Sequence, residues 1–232
     1  GRLCRDVMLG VDRCRNAIRY VMVERSAAQR EHAFARVVEE CFAGVDEVPV
    51  VGVADLPPGP FDGVVLANEL LDNLAPRLLE RREAGWSELY VDDSEFVRRE
   101  APAQAVAMAD ALAPHATVGS CLPLQLKATV WVQRALGLLN SGRVLLFDYG
   151  TPRSSDLAAR PLTEWLRAYR SHRRGLDVLA APGSQDITCE VAFDQLPAGA
   201  QLLRQREWLL AHGLEDLIAE DRRRWERAVS AP

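Results

Sequence analysis

Apolar positions along the first half of the chain alternate between a helical and a strand-like rhythm. Leu3, Val7 and Val11 recur every four residues with Cys4 and Met8 beside them, which predicts a helix from about residue 2. The run AIRYVMVE (17–24) is apolar on both faces and predicts a parallel strand covered on two sides. Ser26 stands three residues before Gln29, a capping-box spacing. Phe34, Val37, Val38, Cys41 and Phe42 come next at helical spacing, so a second helix is expected. VPVVGVA (48–54) reads as another buried strand, ended by Asp55 and the turn-forming PPGP. FDGVVLANELLDNLA (61–75) reads as a strand running into a polar turn. PRLLERREAGWSELYVDD (76–93) reads as two strands folded around Ala84-Gly85, a hairpin.

The Ala-rich stretch from about 101 to 114 is helical in pattern, and Leu126, Val130, Val132, Leu136 and Leu139 predict a longer helix. RVLLFDYG (143–150) is a strand with a polar end. Beyond it the pattern loosens. Leu162, Trp165, Leu166 and Tyr169 fit a short helix, and APGSQDITCEVAF (181–193) reads as a loop and then a strand. Two helices anchored by Trp208, Leu209, Leu217, Ile218 and Trp225 close the chain.

Strands alternating with helices over the first 150 residues imply an α/β fold with a parallel, doubly wound sheet and right-handed crossovers. In such sheets ligands bind beyond the carboxyl ends of the strands. The polar residues that end the strands therefore become the candidates: Glu24, Asp55, Asn68, Glu69, Asp148 and Tyr149.

Composition narrows the function classes. The 232 residues fit one domain of ordinary size, and a 48% hydrophobic content suffices for a full core. A net charge of −5 offers no basic field for phosphates, which argues against a nucleic-acid binder. Five cysteines form no C-x-x-C pair and are odd in number, so zinc fingers and disulfide scaffolds are disfavoured. The apolar runs are too short to span a bilayer and no signal peptide is visible, so no membrane partner is expected. The chain opens on Gly1, directly into a helical pattern. A longer protein is expected, with a strand and a glycine loop preceding this segment.

Gly1 just before a helix and Glu24 at the end of the next strand match the nucleotide-binding spacing, in which a carboxylate accepts hydrogen bonds from a ribose diol. Glu24 is alternatively readable as a solvated strand end. It would also serve a nicotinamide cofactor, although the chain has no Tyr-x-x-x-Lys pair. Asp55 is placed either to accept from an adenine amino group or to form a turn. In LANELLDNL, Asn68 could cap a helix, with Glu69 and Asp72 on one helical face at a three-residue spacing. Two carboxylates there could grip a cation and take up a proton. They could also simply be acids favoured by a helix dipole.

LANELLDNLAPRLLERREAGWSELYV resembles the N-E-L-L-D-x-x-P segment of the MidA-type methyltransferases, a family that includes the mitochondrial assembly factor for respiratory NADH dehydrogenase. LLFDYG, LRAYRSHRRG with APGSQDIT, and RQREWLLAHGL resemble further family segments in the same order. GRLCRDVM fits the helix after the family's G-x-G-x-G loop. The resemblance covers nearly the whole chain. It implies a class I, Rossmann-like methyltransferase fold, S-adenosyl-L-methionine as cofactor and no metal. A protein side chain, arginine above all, is the implied acceptor. Carried over by position, Gly1 and Glu24 fall on the cofactor side, Asn68, Glu69 and Asp72 at the cleft, and Asp148, Tyr149, Gly150, His172, Gln185, Asp186 and Thr188 in the loops lining the acceptor side. Asp55 and Asn68 are counted with the cofactor residues, and Glu69, Asp72 and Asp148 are the candidates for the reacting centre. The implied organisation is a cofactor-binding half over 1–74, an inserted hairpin and helix over 75–125, and the remainder of the Rossmann-like domain over 126–232. The family often has V-D-F where this chain has Val191-Ala192-Phe193, so that acid has no counterpart. The rival expectation is an inactive assembly scaffold that keeps the fold. The expected compartment is the bacterial cytoplasm, or the mitochondrial matrix if the source is eukaryotic.

Overall fold

The computed structural model describes residues 1–11, 14, 17–45, 47–171, 173–175 and 177–229. His172, an expected acceptor-side residue, lies outside the described residues. The chain divides into two compact units, Gly1–Asp62 with Gly137–Ser141, and Gly63–Leu136 with Gly142–Pro232.

The first unit holds α1 (Arg2–Gly10), β1 (Tyr20–Val23), α2 (Ala27–Phe42) and β2 (Val50–Val53). β1 and β2 pair in parallel with Tyr20 opposite Val50 and Val23 opposite Val53. The core formed by Cys4, Met8, Val37, Phe42 and Val50 contains residues that the helical and strand rhythms mark as inward. Ser26 caps α2, its Oγ accepting the Gln29 N–H at 3.3 Å.

β3 (Phe61–Asn68) pairs with β8 (Leu139–Phe147) as a separate two-stranded sheet. In the second unit β4 (Arg77–Arg82) and β5 (Gly85–Asp92) form the expected hairpin, turning at Glu83-Ala84. It extends further than the sequence suggests. β6 (Glu95–Glu100) and β7 (Cys121–Leu124) complete a four-stranded antiparallel sheet in the order β6-β5-β4-β7. α3 (Ala103–Leu112) packs its alanines Ala105 and Ala109 against Leu79, Trp86, Leu122 and Leu124 of that sheet. Small side chains let helix and sheet approach closely, and burying such a face is what holds a short helix in place. The bidentate Arg77–Glu88 pair, with both contacts at 2.6 Å, and the Arg98–Glu80 pair satisfy the acids the sheet buries. Both carboxyls lie below their ordinary range because of these guanidinium bonds.

α4 (Leu126–Gly137) leads into β8, and β9 (Gly150–Thr151), α5 (Ser154–Ala158) and α6 (Leu162–Trp165) come after it. The helix expected to include Leu166 and Tyr169 ends at Trp165. Both residues instead lie in β10 (Leu166–Arg170), which pairs antiparallel with β11 (Arg173–Gly175) and with β12 (Asp186–Cys189). Strand pairing overrides the helical spacing because Leu166 and Ala168 on one face of the strand are buried. β13 (Val191–Ala192) pairs in parallel with β9, and α7 (Gln205–Ala211) and α8 (Leu214–Val229) end the described chain. No helix among the described residues is long and apolar enough to cross a membrane.

Candidate functional site

The ends of β3 and β8 carry an acidic cluster. Asn68 is the last residue of β3, and the Glu69 N–H donates to Phe147 O at 2.8 Å, carrying the pairing with β8 one residue further. Glu69 then adopts φ +50°, the left-handed region that costs a non-glycine residue about 1 to 3 kcal/mol. That turn ends any continuation of the strand. The chain next makes a single 3-10 turn, Leu71–Asn73, with Leu71 and Asp72 buried. Burying Leu71 contributes about 2 kcal/mol and anchors the turn. The expected Asn68-capped helix with Glu69 and Asp72 on one face is therefore absent.

Asp148 supplies what a helix cap would have supplied. It stands directly after β8, and its Oδ2 accepts the N–H groups of Leu71 at 2.8 Å and Asp72 at 3.3 Å. Its Oδ1 accepts the Tyr149 N–H at 2.9 Å. One carboxylate thus ties the turn after β3 to the end of β8. Despite these bonds its burial pushes its carboxyl above the ordinary range.

Three side chains complete the cluster. The Tyr149 hydroxyl donates to Glu69 Oε1 at 3.1 Å, and both residues are exposed. The Glu69 carboxylate pushes the Tyr149 hydroxyl up. Asp72 is only 5% exposed, and its carboxyl is pushed up to about 6, first by burial and then by the charge of Asp148, with a smaller contribution from Glu69. Asn73 Nδ2 bridges Glu69 O at 3.1 Å and Asp72 Oδ1 at 2.7 Å. The cluster therefore combines an oriented surface carboxylate with a buried carboxyl that changes charge near neutrality. Such a pair can hold a cation and accept its proton.

The other expected residues lie apart from this cluster or beside it. Gly1 precedes α1 as its N-cap, and a side chain there would meet Ala33 O at 3.1 Å. Glu24 stands after β1, half-buried. Its N–H donates to Val53 O at 2.9 Å and its Oε1 accepts the Ser26 N–H at 2.8 Å. Asp55 is exposed after β2, with Oδ1 accepting the Leu56 N–H at 2.8 Å, as in a turn. Gly150 is required by packing, because a Cβ there would lie 2.3 Å from Phe193. Gln185 uses its amide to bind the carbonyls of Asp177 and Val178 at 3.1 and 3.2 Å. Asp186 is exposed at the start of β12 opposite Tyr169, and Thr188 stands opposite Arg167.

Sequence reasoning missed the support behind the cluster. Gln125 is 1% exposed. It donates to Glu190 O at 3.1 Å and accepts from Ala192 N at 2.7 Å. Gln195 accepts the Gln125 N–H at 2.8 Å and donates to Ser154 Oγ at 2.9 Å. Ser154 in turn donates to Asp194 Oδ1 at 2.7 Å. This buried network fixes the β13 strand beside β9, immediately after Tyr149. Asn73 was also missed. An Asn next to an Asp in a turn-rich string, able to bond nearby backbone, was its only signal. Among the described residues no group of three or more His, Cys, Asp or Glu is arranged to hold a metal ion.

The family model described as "Putative S-adenosyl-L-methionine-dependent methyltransferase" matches residues 1–209. The chain belongs to that family, and its mixed α/β architecture is the Rossmann-like methyltransferase class that its sequence implies. A crystal structure of a Burkholderia thailandensis protein bound to S-adenosyl-homocysteine is similar, with a TM-score of 0.77 and 26% identity. The match covers 95% of this chain and 59% of that one. A native crystal structure of an uncharacterized protein of the same superfamily and species gives a TM-score of 0.78 at 27% identity, over 95% of this chain and 62% of that one. The chain thus spans about three fifths of the length of those relatives. No curated protein matches it.

Proposed function

We propose that the protein is an S-adenosyl-L-methionine-dependent methyltransferase whose acceptor is a protein side chain, arginine first among them. Family membership and the S-adenosyl-homocysteine held by the Burkholderia relative support the cofactor. The observation that carries the acceptor is the Glu69 carboxylate, held on a left-handed residue by the Tyr149 hydroxyl beside the buried Asp72.

The residues of the first unit fit the cofactor. The Ser26 N–H orients Glu24 through Oε1, which leaves Oε2 for a ribose hydroxyl. Gly1 and Asp55 of the same unit are assigned to that cofactor, with Asp55 toward the adenine amino group. When bound, the cofactor supplies a sulfonium-activated methyl group for in-line displacement.

The chain's own residues then align the acceptor and handle its proton. Glu69 pairs with the guanidinium and fixes its plane, and Tyr149 fixes Glu69. As the nitrogen–carbon bond forms and the sulfur–carbon bond breaks, the guanidinium proton passes to the Asp72 carboxylate. Asp148 acts through Leu71, Asp72 and Tyr149 and is a positioning residue. Asp186 and His172 are assigned to contacts with the surrounding peptide, and Gln185, whose amide holds the Asp177 and Val178 carbonyls, to the same side. The family resemblance makes a subunit of a respiratory assembly the natural acceptor protein.

The test is methyl transfer from labelled cofactor to arginine-containing and lysine-containing peptides by the full-length protein. Transfer to arginine, abolished by Glu69→Gln with cofactor binding intact, is the expected result. A folded protein that binds cofactor and methylates neither peptide overturns the acceptor. One that binds no cofactor is the inactive assembly scaffold.

A further inference from the structure

α8 is sixteen residues long and none of them is buried. A helix of that length is marginal in water unless a packed face supports it. At 100° per residue, Leu214, Leu217, Ile218, Trp225 and Val229 fall within an arc of about 120°. Along that stripe Leu217 is 61% exposed, Ile218 51%, Trp225 66% and Val229 63%. Four large apolar side chains aligned on one face and left in water mark a contact surface.

The charge pattern identifies what covers the stripe. Residues 214–221 contain four acids, Glu215, Asp216, Glu220 and Asp221, and no base. Residues 222–229 contain four arginines, Arg222, Arg223, Arg224 and Arg227, against the single acid Glu226. The helix is therefore acidic in its first half and basic in its second. Its own best complement is the same helix reversed.

We propose that α8 is a self-association surface that pairs antiparallel with α8 of a second copy. Centring the two-fold axis between Asp221 and Arg222 sets the register. Ile218 then meets the second copy's Trp225, and Leu214 meets its Val229. Asp221 is the one charged residue on the stripe, and it faces the second copy's Arg222. The register thus sets Leu214 and Ile218 against apolar partners, leaves Leu217 opposite the second copy's Glu226, and compensates Asp221, the one charged residue on the stripe. A parallel pair would place the acidic halves against each other and the arginines together. The helix is about 24 Å long, so this contact is small and the dimer is weak and reversible. The surface is independent of the acidic cluster and of the methyl-transfer reading.

Sedimentation velocity over a concentration series of the full-length protein tests it, with circular dichroism confirming the fold of each variant. A reversible monomer–dimer equilibrium is expected. Trp225→Glu should weaken it about tenfold or more. Asp221→Arg should also weaken it by placing arginine against arginine, and adding Arg222→Asp should restore it. A protein that stays monomeric at every concentration overturns the proposal, because another segment or protein then covers the stripe. A dimer indifferent to Trp225→Glu, or a double charge swap no better than the single one, also overturns it.

Discussion

Tyr149 reaches from the residue pair just after β8 to the carboxylate of Glu69 beyond the end of β3, a 3.1 Å bond between positions 80 residues apart. It engages one oxygen of the exposed Glu69 carboxylate while Asp148 clamps the turn behind it. The consequence is separable by mutation. In Tyr149→Phe the ring remains and the donor goes. Tyr149 is 57% exposed, so the melting temperature should stay within a degree or two of the original. The kcat/KM for an arginine peptide should fall about five- to tenfold, the worth of one solvent-exposed hydrogen bond of about 1 kcal/mol. Parallel thermal melts and transfer assays check both halves.

Glu69 occupies φ +50°, a conformation that asparagine tolerates better. Glu69→Asn should stabilise the protein by a few tenths to about 1 kcal/mol while removing methyl transfer. Stability and activity moving in opposite directions, measured by denaturant unfolding and transfer assay, would mark the strain as serving the site.

Asp72 gives the site a pH dependence. Its carboxyl is raised from 3.8 to about 6 by burial and by Asp148. For an acid raised on folding, the folded state holds the proton more tightly. The stability linked to Asp72 is therefore fully present below pH 3.8 and is lost as pH rises through about 6. Its size is at most about 3 kcal/mol. Asp72→Asn should flatten that part of the stability profile. On the proposed mechanism, in which the ionised Asp72 carboxylate accepts the proton, the same variant should remove the rise of kcat/KM through about pH 6.

Gln125 holds both a buried carbonyl and a buried N–H. Gln125→Leu keeps the size and orphans both partners, so a loss of about 2 to 4 kcal/mol is expected by denaturant unfolding. The transfer rate at low temperature should fall less than in the Tyr149 and Glu69 variants, since Gln125 supports β13 and does not touch the acidic cluster.

Where local pattern and packing agree, the sequence was readable. α2 keeps to its apolar spacing, and the β4–β5 hairpin turns beside its small residues. α4 departs from the expected set Leu126, Val130, Val132, Leu136 and Leu139: it buries Ala128, Val132 and Ala135, leaves Val130 and Leu136 exposed, and ends before Leu139, which begins β8. Other elements depend on partners that local pattern does not show. Pro123 argues against a strand, yet β7 forms because it sits at the sheet edge, where a missing N–H is tolerated. β6 is short, charged and an edge strand, so its alternation is weak. The polar end of β3 has the spacing of a capped helix. Its N–H groups instead find Asp148, more than seventy residues later, and that single contact replaces a helix with a 3-10 turn. Glu69, Asp148 and Tyr149 were legible as strand tips and Asp72 as part of an expected capped helix, while Asn73 was not. Their bonding was not legible either, because Tyr149 reaches Glu69 across the fold.

On the proposed function, methyl transfer depends first on Glu24 holding the sugar of S-adenosyl-L-methionine. Isothermal titration calorimetry of the full-length protein with that cofactor measures this directly. Binding in the micromolar range, lost in a folded Glu24→Ala variant, is the expected outcome. A well-folded protein that releases no heat of binding, or a Glu24→Ala variant that binds as tightly as the original, would contradict it.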